Sequence, residues 1–242
     1  MLDDQARAFE FDRIGTVDQV ADRLRRMIWS GALEPGFRLK EMPLSKSFGV
    51  SRNTIRDAIR DLTQDGLLTH EVNRGAVVRH LDAEDVRDLY RVRRLLELRA
   101  VEQAEITEPE YDRIHTAVVN IERAVETGDW ETAVAADGAF HAALVALLRS
   151  PRINRFFEQI SIESRFIFGI LWLRDAEERV ASVLQDVADE HRSIYESIKA
   201  GRPAVAQRML DAHLRVNETR IVAILEQRSS ARSAEGASGL PT

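Results

Sequence analysis

Residues 44–68 read LSKSFGVSRNTIRDAIRDLTQDGLL and decide the fold of the N-terminal part of the chain. The spacing of their apolar residues predicts a short helix over 44–48 and, after a turn at Gly49, a longer helix over Arg52–Gln64. Ser51 is a favourable N-cap for the longer helix. A short helix, a glycine turn and a capped second helix are typical of a helix-turn-helix, whose second helix enters the major groove of DNA.

The flanking sequence extends this unit on both sides. Apolar residues at helical spacing predict a preceding helix over 17–30. Two short apolar runs, 67–71 and 76–80, surround a turn at 72–75 and predict a β-hairpin. A leading helix, a helix-turn-helix and a hairpin in this order predict a winged helix-turn-helix.

Polar and cationic residues crowd the start of the longer helix, where base edges would be met. They are Arg52, Asn53, Thr54 and Arg56. Arginine can donate two hydrogen bonds to guanine, while Arg74 at the hairpin tip and Lys46 suit phosphates. In the alternative interpretation these are solvated charges on a surface helix, with Asp57 and Asp61 as partners. The three elements in order favour DNA binding.

From residue 83 onward, long amphipathic segments alternate with short breaks, and no segment is typical of a strand. The predicted helices are 83–104, 109–127, 129–148, 151–173, 176–200 and 203–228. Long helices with short connections predict an antiparallel bundle, so the expected fold class is mainly α. We expect an N-terminal tail over 1–13, a winged domain over 14–82, a helical domain over 83–228 and, because the sequence becomes small and polar, a disordered tail over 229–242.

Composition excludes several classes of protein. The chain has no cysteine, so disulfides and thiolate sites are excluded, and any metal must be bound by His, Asp or Glu. No apolar run approaches the roughly 20 residues needed to cross a bilayer, and the N-terminus lacks the apolar core of a signal peptide. We therefore expect a cytoplasmic protein without membrane contact. Residues 1–82 carry equal numbers of basic and acidic side chains, so the net charge of −6 lies in the rest of the chain.

Four residues of the predicted bundle have the spacing of a metal site. Asp137 and His141 are four residues apart, so both side chains leave one face of one helix. His191 and His213 lie at equal distances on either side of Arg202, each about 16 Å along its helix from the turn. In an antiparallel hairpin the two imidazoles would face each other. Three imidazoles and a carboxylate suit Zn, Ni, Fe or Mn and leave positions open for water or a ligand.

The winged part resembles a known family. Residues 44–68, followed by NRGAVV at 73–78, resemble the winged helix-turn-helix of GntR-type regulators. The resemblance implies that Arg52, Thr54 and Arg56 contact operator DNA and that the hairpin tip assists. Many members carry an arginine where this chain has Met42, so a base contact is expected to be missing. The predicted DNA-contacting set is Lys46, Ser51, Arg52, Asn53, Thr54, Arg56, Arg74 and Gly75.

The helical part resembles the FCD ligand-binding domain of the FadR subfamily within this family. The matching segments are DLYRVRRLLE (88–97), DGAFHAAL (137–144), DEHRSIYESIKAGRP (189–203) and AQRMLDAHL (206–214). In the metal-containing branch an Asp and three His bind a divalent metal, and they correspond to Asp137, His141, His191 and His213. The resemblance implies a small organic acid whose carboxylate completes the metal shell.

Arg93 interrupts the apolar face of the first bundle helix, so its guanidinium is predicted to point inward. A buried arginine is costly unless it is paired. Two interpretations fit the sequence: Arg93 binds the carboxylate of the ligand, or it forms an internal ion pair with Glu97 four residues along.

These observations predict a ligand-responsive transcriptional regulator that is not an enzyme. We expect a homodimer on a palindromic operator, because one recognition helix reads only a few base pairs. Repression relieved by a small carboxylate effector is the commoner arrangement in the family, so a repressor is expected. The alternative is a metalloenzyme fused to a DNA-binding module, in which the His/Asp centre activates water. Its only candidate base is Glu190, which is expected to point away from His191 because it lies about 100° around the helix.

Overall fold

A computed structural model of the chain describes residues 13–103, 105–172 and 177–237. Within these ranges the chain forms helices and one two-stranded antiparallel sheet, which confirms the mainly α prediction. In chain order the elements are α1 (Arg13–Trp29), α2 (Glu41–Phe48), α3 (Arg52–Gln64), β1 (Leu68–Glu71), β2 (Gly75–Val78), α4 (Ala83–Gln103), α5 (Glu108–Thr127), α6 (Trp130–Ala146), α7 (Pro151–Trp172), α8 (Glu177–Lys199) and α9 (Pro203–Ala237).

The chain divides into two compact units after His80. In the first unit, α3 buries Ile55, Ala58 and Leu62 on one face, which leaves its opposite face for solvent or a partner. The hairpin pairs Leu68 with Val78 and Glu71 with Gly75, and Arg38 forms an isolated bridge to Val77. Helix, helix-turn-helix and hairpin occur in the predicted order.

The second unit is a helical bundle with one main hydrophobic core. Helix α4 packs on α9, α6 packs on α5 and α7, and α8 packs on α5 and α9. None of the described helices is both long enough and apolar enough to span a membrane.

Two helices begin earlier than the sequence indicated. Helix α2 starts at Glu41 rather than at residue 44, because Pro43 lies in its first turn, where a missing N–H is tolerated. Helix α1 starts at Arg13, inside the range assigned to the N-terminal tail. The remaining residues of that tail, 1–12, lie outside the described residues.

The disorder predicted for the C-terminal tail is wrong over part of its length. Disorder was expected from residue 229, yet α9 continues to Ala237. This segment is composed mainly of alanine, serine, arginine and glutamate, which helices tolerate. The Ser230 hydroxyl also donates to the Glu226 carbonyl one turn earlier, at 3.0 Å, a contact that a helix accommodates. Residues 238–242 lie outside the described part of the chain.

Candidate metal centre and nucleic-acid interface

Helix α6 supplies two of the four predicted metal ligands. Asp137 and His141 lie one turn apart, and 3.7 Å separates Asp137 Oδ1 from His141 Nε2. His141 is buried at 2% exposure, while Asp137 is partly accessible at 14% side-chain exposure. The helix therefore presents a carboxylate and an imidazole toward the same point of the bundle.

Helices α8 and α9 supply the other two ligands across their turn. The ring centroids of His191 and His213 lie 4.6 Å apart, which agrees with the hairpin geometry expected from their spacing. His191 Nε2 lies 3.3 Å from His141 Nε2 and 3.4 Å from Asp137 Oδ1. One ligand atom from each of the four residues lies within 4.8 Å of the others.

Each imidazole has an acceptor at the nitrogen that faces away from this cluster. The pairs are His141 Nδ1 with Glu97 Oε2, His191 Nδ1 with the Val187 carbonyl and His213 Nδ1 with Glu190 Oε2, each at 2.6 Å. Because carboxylates and carbonyls only accept, each Nδ1 carries the proton and donates it outward. In a neutral ring this leaves Nε2 unprotonated, with its lone pair directed toward the cluster.

The result is a buried set of electron-pair donors that face one another. When both rings are neutral, His191 Nε2 and His141 Nε2, which lie 3.3 Å apart, cannot hydrogen-bond to each other, and the nearby Asp137 carboxylate adds negative charge. A divalent cation would accept all four donors. Outward hydrogen bonds from ligating histidines to carboxylates or carbonyls are the usual arrangement around such a cation. The residues present therefore fit a metal bound by nitrogen and oxygen.

Electrostatics favour the metal-binding protonation state at three of the four ligands. Burial and the neighbouring His213 lower the pKa of His191 well below its usual value, and burial also lowers the pKa of His213. Burial raises the pKa of Asp137, but His141, His191 and Arg93 together outweigh burial, so the net direction is downward. At His141 burial lowers the pKa, but the Glu97 and Asp137 carboxylates together outweigh burial and Arg93, so the net direction is upward. A proton therefore competes with the metal at His141 more than at the other rings.

Arg93 forms an internal ion pair with Glu97, which is one of the two roles that the sequence allowed for it. Its Nε donates to Glu97 Oε1 at 2.8 Å, and the two residues are 2% and 0% exposed. Burial raises the pKa of Glu97, but Arg93 and then His141 outweigh burial, so Glu97 stays ionised. Glu97 thus links the guanidinium to the His141 ring. Its sequence signal was the four-residue spacing from Arg93.

Glu190 contacts the outer side of the cluster rather than the point where the four ligand atoms meet. It lies about 100° around α8 from His191, so it was expected to point away from that residue. That rotation directs its carboxylate to the neighbouring α9, where it accepts from His213 Nδ1 at 2.6 Å. The rotation around α8 gives the direction of Glu190 relative to His191. It does not identify His213 of the facing helix α9 as the partner of Glu190.

Asn217 is a polar residue beside the centre that no sequence pattern indicated. It lies one turn beyond His213, is 6% exposed, and its Nδ2 is 3.3 Å from His213 Nε2. A small cleft beside the cluster is lined by Val134, Asp137, Phe168, Leu184, Val187 and Asn217. The cleft therefore combines apolar walls with one carboxylate and one amide at the cluster.

The start of α3 presents the predicted DNA-contacting residues on the first unit. Ser51 caps the helix by accepting from the Thr54 amide at 3.1 Å, and its hydroxyl lies 2.8 Å from the Thr54 hydroxyl. Arg52 and Asn53 are exposed. Arg56 is half exposed, but its guanidinium is held by Glu41 rather than by Asp57 or Asp61.

The remaining predicted contacts lie on α2 and the hairpin. Lys46 is exposed on α2, as is Met42, which is 68% exposed where many members carry an arginine. Arg74 at the hairpin tip pairs with Glu71 at 2.5 Å and donates to the Gly36 carbonyl at 3.3 Å. Gly75 follows it with φ of 77°, which a residue with a side chain rarely adopts.

Comparison with known proteins agrees with both units. The gntR family of bacterial regulatory proteins matches residues 16–78, and the FCD domain matches residues 88–216. The HTH-type transcriptional regulator YdhC of Bacillus subtilis (strain 168) is 31% identical over 212 residues, covering 86% of this chain and 92% of that protein. The gluconate operon transcriptional repressor of Bacillus licheniformis is 38% identical over 85 residues, 35% of each chain. A GntR transcriptional regulator of Rhodococcus sp. RHA1 has a TM-score of 0.75 and 32% identity, covering 86% of this chain and 97% of that one.

A winged helix-turn-helix followed by a helical domain with these matches defines a DNA-binding transcriptional regulator. The chain belongs to the GntR family and carries an FCD domain. Its relatives are regulators and not enzymes, as the sequence indicated, and some of them are named repressors.

Glu97→Gln is expected to lower divalent-metal affinity by about 10- to 100-fold. The amide oxygen would accept from Arg93, leaving an N–H group opposite His141 Nδ1. The His141 proton would then move to Nε2 and block that ligand. Metal affinity is measured by competition with a chromophoric chelator.

Glu102→Gln is the matched control, because Glu102 is exposed on the same helix and pairs with Arg99. The control should bind metal as the wild type does. Equal affinities for all three proteins would contradict the assigned role of Glu97.

Proposed function

We propose that the protein is a transcriptional repressor whose DNA affinity responds to a small organic acid bound at a metal in the helical domain. The observation that carries this proposal is the convergence of Asp137, His141, His191 and His213, with each imidazole oriented by an acceptor at Nδ1. This donor set suits Zn, Ni, Mn or Fe. A metal bound there would act as a Lewis acid toward a carboxylate.

Four protein ligands leave coordination positions open on a metal that accepts six. The cleft that borders Asp137 and Asn217 is where an added ligand would reach those positions. The cleft has a free volume of about 10 Å³, room for about one water molecule, so an organic acid would have to displace its walls. Its apolar walls and single amide would then favour a small acid with a short apolar body and a hydroxyl or carbonyl group. Arg93 is engaged by Glu97, so in this proposal it orients the centre through Glu97 and does not clamp the effector.

In the winged unit, α3 is proposed to enter the major groove. Arg52, Asn53 and Thr54 lie at its capped start, and Arg56 follows one turn along. Lys46 and the Arg74 tip would contact phosphates. Two copies of the chain would bind a palindromic operator as a homodimer, since one α3 reads only a few base pairs.

A structural metal with no ligand role is the competing proposal for the centre. The partial exposure of Asp137 and the adjoining cleft favour an exchangeable ligand, because a structural site is closed on all sides. An unchanged operator affinity with and without effector would favour the structural role.

Arg56→Ala is expected to weaken operator binding by about 5- to 150-fold, because a bidentate base contact contributes roughly 1–3 kcal/mol. The probe is a duplex selected from a randomised library by the wild-type protein, and binding is measured by fluorescence anisotropy. Metal content should not change.

Arg60→Ala is the matched control, because Arg60 is exposed on the same helix and pairs with Asp57. It should reduce affinity less and equally for all DNA sequences. Loss of both metal and DNA binding in Arg56→Ala would instead show that Arg56 supports the fold.

His191→Ala is expected to remove the bound divalent metal and the thermal stabilisation by small carboxylic acids. The loss follows because His191 is fully buried and lies within 3.4 Å of the nearest ligand atoms of Asp137 and His141. Elemental analysis gives the metal content, and a thermal-shift series with acetate, lactate and citrate gives the response.

His115→Ala is the control, because His115 is an exposed histidine of α5 that stacks on Tyr195. His115→Ala should keep the metal content of the wild type and its thermal stabilisation by carboxylic acids. A wild-type protein without divalent metal, or acids that stabilise His191→Ala and the wild type equally, would refute the sensor.

A further inference from the structure

Glu41 makes a paired contact with the guanidinium that is proposed to read bases. Arg56 Nε donates to Glu41 Oε1 at 3.1 Å, and Arg56 Nη2 donates to Glu41 Oε2 at 2.8 Å. The two residues belong to different helices, α2 and α3. This parallel pair of hydrogen bonds fixes the plane of the guanidinium as well as its position.

The contact with Glu41 leaves the outer edge of the Arg56 guanidinium available to donate hydrogen bonds to a base. A guanidinium has five N–H donors, and Glu41 engages only Nε–H and one N–H of Nη2. Two parallel N–H groups remain on the Nη1–Nη2 edge, which is the edge that matches O6 and N7 of guanine. The Arg56 side chain is 50% exposed and Glu41 is 30% exposed, so the pair lies at the surface.

The same carboxylate also lies near the first arginine of α3. Arg52 Nη2 is 3.7 Å from Glu41 Oε2. Hydrogen bonding from Arg56 holds the pKa of Glu41 below its usual value, so the group stays an anion. An anion among DNA-facing cations opposes the phosphates and lowers affinity for DNA of any sequence.

We propose that Glu41 is a specificity-determining positioning residue, which orients Arg56 for base readout and weakens binding to non-operator DNA. The inference depends on the proposed contact between Arg56 and DNA. An exposed ion pair contributes little to stability, so loss of this pair is not expected to unfold the winged unit. Because Glu41 orients the long Arg56 side chain before DNA binds, less conformational entropy is lost on binding. The affinity gained in this way applies only where a matching base accepts from Arg56.

The test compares two duplexes at one salt concentration. The first is the duplex selected by the wild-type protein, and the second has the same composition in scrambled order. Glu41→Gln removes the charge and one acceptor, so affinity for the scrambled duplex should rise several-fold while affinity for the selected duplex falls or stays constant. The ratio of the two affinities should therefore fall by about 10-fold.

Two further variants separate position from charge. Asp57→Asn removes one negative charge from α3, where Asp57 pairs with Arg60, and should raise both affinities while the ratio stays constant. Glu41→Asp keeps the charge on a side chain one methylene shorter, which draws the carboxylate back from the Arg56 guanidinium. It should lower the ratio without raising affinity for the scrambled duplex.

The outcomes distinguish failure of the inference from failure of the proposed function. If Arg56→Ala abolishes selective binding but both Glu41 variants keep the wild-type ratio at unchanged thermal midpoint, Glu41 has no positioning role. An equal ratio for Glu41→Gln and Asp57→Asn would also overturn the inference, since charge alone would then act. If Arg56→Ala retains selective binding, the proposed contact itself is wrong.

Discussion

The centre of the helical domain depends on the outward hydrogen bonds of three buried imidazoles. Because Glu97, Val187 and Glu190 accept from Nδ1, the Nε2 lone pairs of the three rings converge with the Asp137 carboxylate. Buried electron pairs that face one another are unfavourable unless a cation or a proton lies between them. A bound metal would therefore cross-link α6, α8 and α9. It would stabilise the folded bundle in addition to its proposed role in effector binding.

Ion pairs extend this arrangement to the helix that follows the winged unit. Helix α9 carries His213, and Arg94 and Arg87 of α4 pair with its Glu218 and Glu226. Helix α4 also carries the ion pair between Arg93 and Glu97 that orients the His141 ring. In the proposed function, a change at the centre would therefore reach α4 through two sets of ion pairs, and α4 begins at Ala83, soon after the winged unit ends at His80.

Periodicity and local spacing were sufficient to predict the fold class and to indicate that Asp137, His141, His191 and His213 lie together. The four-residue spacing of Asp137 and His141, and the equal spacing of His191 and His213 about the turn, indicate that these residues lie together. The missed features depend on facing helices: Glu41 with Arg56, Glu190 with His213 and the position of Asn217. Periodicity assigns a face to a residue but not the residue opposite it, so these contacts could be identified only from the packing of the helices. Composition misassigned residues 229–237, because small polar residues also continue helices.

The most direct measurement is X-ray absorption spectroscopy at the metal edge of the protein loaded with Zn. We expect a first shell of nitrogen and oxygen at about 2.0–2.2 Å, with the outer-shell scattering of three imidazoles. Addition of a small carboxylic acid should change the oxygen contribution and leave the imidazole scattering intact. An oxygen-only shell without imidazole scattering would contradict the proposed centre, because the metal would then be bound elsewhere.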